Sequence, residues 1–184
     1  MKILAAMSCF RTLHRLSIWP IKFNDLLLNI FGAPLFFKQT KAEMEFKISP
    51  HFPGIRPNVT LPTHEMFELL GEEGIRKMVS DHYDLVVQSP VKHLFPKNPI
   101  ALEKAKEHSA DFFIQICGGP DYFNKNRGMP QLNRRHRPFT ITAEGRIEWL
   151  KCYQQVLSKL DLPEHVLLSF WNYLDVFSKW MVNS

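Results

Sequence analysis

The stretch Arg134-Arg135-His136-Arg137-Pro138-Phe139 is the densest gathering of chemically capable side chains in this chain. A neutral imidazole offers one nitrogen lone pair to a metal while its other nitrogen donates a hydrogen bond, and Pro138 stiffens the backbone just behind it. The arginines add planar forks of donors suited to carboxylates or phosphates. A lone histidine among arginines also fits an exposed basic loop, so residues at longer range must decide between ligand and surface. Two landmarks stand at fixed distances. The turn Gly118-Gly119-Pro120 begins eighteen residues before His136, and Trp149 follows it by thirteen.

Composition narrows the alternatives. The 184 residues are 45% hydrophobic and 12% aromatic, enough for one domain with a substantial core, which excludes disorder as the whole answer. The formal charge of +5 is concentrated at the start: residues 1–43 hold six Lys or Arg against two Asp or Glu, leaving 17 basic and 16 acidic residues from Met44 onward. A near-neutral domain argues against a nucleic-acid-binding module built on the Arg127 to Arg137 loop. Cys9, Cys117 and Cys152 are far apart and odd in number, so neither a disulfide framework nor a zinc site is indicated; a reducing cytoplasm fits, with Cys117 and Cys152 as buried inert thiols on apolar-periodic segments.

The elements that must position His136 are helical throughout. Residues 1–43 contain apolar patches broken by Arg11, Arg15, Pro20, Lys22 and Asp25, so no run of about 18 apolar residues forms a membrane span. This extension is either a surface-binding amphipathic segment or an upstream start that is not used, with Met44 opening the protein; the second is preferred. Residues 44–62, with Pro53, Pro57 and Pro62, read as a non-helical lead-in to a domain over 63–184. Thr63 is expected to cap a short helix reaching Leu70. The apolar stripe Ile75, Met78, Val79, His82, Tyr83, Val86 and Val87 predicts a second, stopped by Pro90.

Beyond the Leu94-Phe95-Pro96 corner, Leu102, Ala105, Ser109, Phe112, Phe113 and Ile116 form a further stripe ending at a glycine cap. Asp121 to Arg137 reads as a loop with one helical turn finishing near His136. Thr142 caps a long helix bearing Ile147, Trp149, Leu150, Tyr153, Val156, Leu157 and Leu160, and Pro163 opens a last one bearing Leu167, Phe170, Trp171, Leu174, Phe177 and Met181. Nothing alternates with period two. The fold class is therefore all-α with four main helices.

The Gly-Gly-Pro turn, His136 and Trp149 at this spacing resemble the group II truncated haemoglobins, over roughly Thr63 to Trp180. The resemblance implies a globin-like two-over-two helical sandwich holding one haem b, non-covalently since no Cys-x-x-Cys-His motif is present. It makes His136 the proximal iron ligand and Arg135 a propionate anchor, with His108 either a second propionate partner or an exposed helical residue. Tyr83 and Trp149 match the family's distal hydrogen-bond donors, Phe95 stands at the corner where Phe, Tyr or His occurs, and Ala105 and Ser109 fall on the distal helix face. Phe112, Phe113, Leu132, Phe139, Ile141 and Leu150 are expected apolar contacts or core. Two departures, Phe123 in place of a tyrosine and Met129 in place of a histidine, bear on the packing of the loop rather than on the iron.

The implied function is binding of dioxygen or another diatomic gas at ferrous iron. The alternative is a haem enzyme for nitric-oxide dioxygenation or peroxide turnover; with no flavin or nicotinamide motif, it would depend on a separate reductase.

Overall fold

A computed structural model describes residues 44–184, so the two readings of the extension over 1–43 lie outside the described residues. Six α-helices follow one another: α1 (Glu65–Val86), α2 (Pro99–Ile116), α3 (Tyr122–Arg127), α4 (Leu132–His136), α5 (Ala143–Leu157) and α6 (Glu164–Ser178). A single 3-10 turn (Lys92–Leu94) bridges α1 and α2. The described residues contain no strand. The long helices α1 and α2 pack together and lie over the packed pair α5 and α6, with α1 touching both members of that pair. This is the two-over-two sandwich.

Local signals explain most boundaries. Asn98 caps α2 by accepting the Ala101 N–H at 3.1 Å, with Pro99 at the first helical position. At its other end, the Gly119 N–H returns to the Ile114 carbonyl at 2.9 Å and the Gly118 N–H to Gln115 at 3.3 Å, while Gly118 takes φ 94°. These are the two bonds of a Schellman cap, in which the left-handed position favours glycine. Both glycines are also needed for space: a Cβ on Gly118 would come within 2.6 Å of the His64 ring and one on Gly119 within 2.6 Å of the Phe67 ring. Thr142 accepts the Gly145 N–H at 3.1 Å to start α5, and Pro163 precedes α6.

Three expectations need correction. The two helices predicted between Thr63 and Val87 run on as α1, broken only at Gly71, where φ 64° and ψ −175° leave the helical region. Thr63 does not cap it: the residue at the N-cap is His64, while the Thr63 N–H is spent on Ser169 Oγ at 2.9 Å. The supposed loop after Pro120 contains a further helix, α3, too short for periodicity to reveal and held instead by tertiary contacts. Its Phe123 is buried against Phe112 with centroids 5.5 Å apart, and the neighbouring Tyr122 hydroxyl donates to Glu72 at 3.1 Å. The departure at Phe123 is thus absorbed by the core, whereas Met129 stands 70% exposed.

The Pro-rich segment is a non-helical strap across α5 and α6, fastened by side chains of the domain that bond to its backbone. Gln154 donates to the Phe46 carbonyl at 2.6 Å, the Trp171 indole to Lys47 at 3.0 Å and the Trp180 indole to Pro57 at 3.1 Å. Beneath it, Arg146 reaches Asp175 at 2.5 Å, Ser178 Oγ at 2.9 Å and the Ser49 carbonyl at 2.9 Å. Asp175 in turn accepts from the Ser49 N–H and hydroxyl. Arg146 takes the buried place that the apolar stripe assigned to Ile147, which turns outward. Cys117 and Cys152 are free and buried; desolvation pushes the Cys117 thiol up to about 12 and raises that of Cys152. Among the described residues no helix is long and apolar enough to cross a membrane.

Candidate functional site

His136 is the last residue of α4, a helix with no fully buried residue. Its Nδ1 lies 2.7 Å from the carbonyl oxygen of Leu132, one turn back. A carbonyl can only accept, so Nδ1 carries a proton, and in the neutral ring Nε2 is the nitrogen that keeps a lone pair. The ring borders a cavity of about 260 Å³. This is the tautomer and restraint that a metal-ligating imidazole requires.

The same cavity is lined by Tyr83 from α1, Ala105 from α2, Trp149 from α5 and the corner residues Leu94, Phe95 and Pro96. Phe139, Ile141, Phe177 and Met181 close much of the remainder with apolar surface. Tyr83 Oη sits 2.7 Å from Ser109 Oγ, and Phe95 stands edge-on to the tyrosine at 5.5 Å. Burial raises the Tyr83 pKa, the serine bond opposing it, so the phenol remains protonated and able to donate. Trp149 meets Tyr153 edge-on at 4.8 Å, which fixes the indole's plane beside the cavity.

Other expected site residues fall elsewhere. Ser109 touches the site through Tyr83 rather than lining the cavity itself. Phe112 is buried in the core between Phe113, at 5.5 Å, and Phe123. Arg135 binds loop backbone: its Nε donates to Pro130 and its Nη2 to Arg127, both at 2.8 Å, with the guanidinium 5.5 Å over the Phe123 ring. It secures the loop that delivers His136. His108 meets Arg127 Nη1 at 2.7 Å, and partial burial followed by that positive neighbour lowers its pKa.

Several lining residues were not legible beforehand. Val91, Gly145, Arg146 and Ser178 border the cavity, and no local pattern marked them. Arg146 and Ser178 are bonded to each other and to Asp175, so they form a satisfied wall rather than free donors. His82 lies just behind, fully buried, with Nε2 3.2 Å from the Trp149 carbonyl. Its signal was a histidine embedded in an otherwise apolar stripe.

Among the described residues no three His, Cys, Asp or Glu side chains gather as an ion site. A lone imidazole beside an apolar cavity fits a metal that arrives with its other ligands already in place, as iron does in a porphyrin. The residues present therefore fit haem: one restrained nitrogen, apolar walls, and two donors of the kind that a polar gas ligand can use.

Comparisons agree. The family described as bacterial-like globin matches residues 65–183. Group 2 truncated hemoglobin YjbI of Bacillus subtilis (strain 168) is 30% identical over 118 residues, covering 64% of this chain and 87% of that protein. Among solved structures, phosphate-bound Hell's gate globin IV superposes with a TM-score of 0.69 at 33% identity, over 75% of this chain and 86% of that one. The truncated oxygen-avid haemoglobin from Bacillus subtilis gives 0.57 at 30% identity, over 64% and 98%. On its fold, its restrained histidine and these relatives, the chain belongs to the bacterial-like globins as a group II truncated haemoglobin, a haem b protein of the gas-binding kind.

Proposed function

We propose that this protein binds dioxygen reversibly, with His136 as the iron ligand and Tyr83 and Trp149 as the hydrogen-bond donors to the gas. Haem b supplies the ferrous iron at which a diatomic gas is taken up. The observation that carries the reading is the bond from His136 Nδ1 to the Leu132 carbonyl at 2.7 Å, because it makes Nε2 the nitrogen available to a metal on a ring that borders the cavity. The resemblance to a relative described as oxygen-avid supports dioxygen over other gases.

The polar side chains divide the remaining work. If the Ser109 hydroxyl donates to Tyr83 Oη across their 2.7 Å contact, the Tyr83 proton is free to point into the cavity. An indole N–H can only donate, so Trp149 adds a second directed group without competing for a proton. Such donors hold a ligand that gains negative charge on binding, and they slow its release. The apolar surface of Phe95, Phe139, Ile141 and Met181 excludes water, which strengthens each of those bonds. The Arg135 Nη1 remains the reading for a propionate contact, since Nε and Nη2 serve the loop.

Absorption spectra of the haem-loaded protein test the core of this. The parent should show an intense porphyrin band that moves on reduction and on exposure to carbon monoxide; an identical spectrum in His136→Gly would overturn the ligand assignment. Dioxygen release from Tyr83→Phe, together with its peroxide turnover, separates storage from catalysis. Faster release with unchanged turnover supports binding, while a collapse of turnover alone would favour the enzyme reading with its separate reductase.

A further inference from the structure

His82 stands where packing asks only for an apolar ring. It is 1% exposed and stacks on Tyr153 with centroids 3.6 Å apart and planes 17° apart. It also meets Trp149 edge-on at 5.3 Å and Tyr83 at 6.1 Å. A phenyl ring would make all these contacts, yet the imidazole carries two nitrogens into them. Nε2 lies 3.2 Å from the Trp149 carbonyl, which can only accept, so that nitrogen holds the proton. Nδ1 is then a bare acceptor, buried and without a partner. Desolvation holds the ring neutral, with its pKa pushed down to about 3.

The arrangement sacrifices the solvation of one nitrogen to make one hydrogen bond, a poor exchange for stability alone. What distinguishes the bond is its destination. The carbonyl belongs to the residue whose indole lines the cavity, and the donor directly precedes Tyr83, whose phenol lines it too. One contact thereby ties the turn of α1 that presents the tyrosine to the turn of α5 that presents the tryptophan. We propose that His82 is a positioning residue for gas binding: its Nε2–H bond to the Trp149 carbonyl sets the relative placement of the two donors, and so the residence time of the gas. The proposal rests on the reading of this cavity as the haem site.

The test uses the full-length haem-loaded chain. Dioxygen release is measured by stopped flow, and the iron–carbon stretch of the carbon-monoxide form by resonance Raman, in the parent, His82→Phe, His82→Gln, Trp149→Phe and the double variant His82→Phe/Trp149→Phe. His82→Phe keeps the stack and should speed release by about three- to tenfold, the range one neutral hydrogen bond commands, and shift the stretch. His82→Gln, whose amide N–H stands near the place of Nε2, should restore most of the parent rate. In the Trp149→Phe background the effect of His82→Phe should shrink. An unchanged rate and stretch in His82→Phe overturns the proposal, as does an effect that persists undiminished without the indole or a glutamine variant no closer to the parent than phenylalanine is. Failure of the site reading looks different: the parent would take up no haem, or Trp149→Phe alone would leave release untouched.

Discussion

The histidine wall of the cavity and the donor wall are held in place by different forces. α4 buries no residue completely, and the loop before it depends on polar staples: His136 to Leu132, and Arg135 to Pro130 and Arg127. α1 and α5 each bury six residues, so Tyr83 and Trp149 ride on helices fixed by close packing. A ligand to iron needs its ring orientation set and its second nitrogen bonded, which hydrogen bonds do well. Donors to a small gas must instead hold their separation to a fraction of an ångström, and packed helices hold it better than a loop. The contrast teaches that the two halves of one site should fail in different ways.

The largest effect should come from the weakly buried wall. His136→Gly is expected to weaken haem retention by more than about 100-fold, read as transfer of haem to a scavenging protein, while the helical circular-dichroism signal of the rest persists. Equal loss of helix would break the comparison, because the histidine side would then be part of the packed scaffold. On the donor side, Asp175→Ala strands the Arg146 guanidinium, of which only 2% of the side chain is exposed. That should cost about 3–5 kcal/mol in denaturant unfolding, with gas kinetics changing far less than stability.

Acid sharpens the contrast further. Folded His82 titrates near 3, whereas an unfolded histidine titrates near 6.5, and the ionisable rings against it, Tyr83 and Tyr153, are both kept protonated by burial. Below 6.5 the unfolded chain takes a proton that the folded one refuses, so stability falls as pH drops, approaching about 1.4 kcal/mol per pH unit until the folded value is reached. Above 6.5 the contribution is constant. Unfolding measured from pH 7 to 5 should show this slope in the parent and lose one proton's worth of it in His82→Phe; parallel slopes would refute the assignment.

Smaller effects belong to individual donors. Tyr83→Phe should speed dioxygen release roughly tenfold, the worth of about 1.4 kcal/mol for one hydrogen bond to a ligand bearing partial charge. Ser109→Ala, acting only through the tyrosine, should change release by about twofold. A serine effect larger than the tyrosine effect would mean that the hydroxyl touches the gas directly and would reassign the donor.

Much of this was legible from local patterns. α2, α5 and α6 follow from apolar spacing and from caps at Thr142, Pro163 and the Gly118-Gly119 pair, all of which act within a few residues, whereas α1 was expected as two helices with a cap at Thr63 that the fold does not use. His136, Tyr83 and Trp149 were reached through a resemblance carried by spacing, and the fold brings all three to one cavity. α3 escaped because six residues carry too little periodicity, and Phe123 finds its reason only in Phe112.

Neighbours a few bonds away and a fixed register were enough to read the order of the long helices and the glycine turn, and a resemblance in spacing pointed to His136 as the candidate ligand. Which polar groups are buried, and with whom, depends on the packing of segments far apart in the chain. Arg146, Asp175 and Ser49 meet from three distant segments, and His82 faces a carbonyl 67 residues away. Their roles arise from desolvation, and a buried charge or ring nitrogen has no meaning until the chain has closed around it.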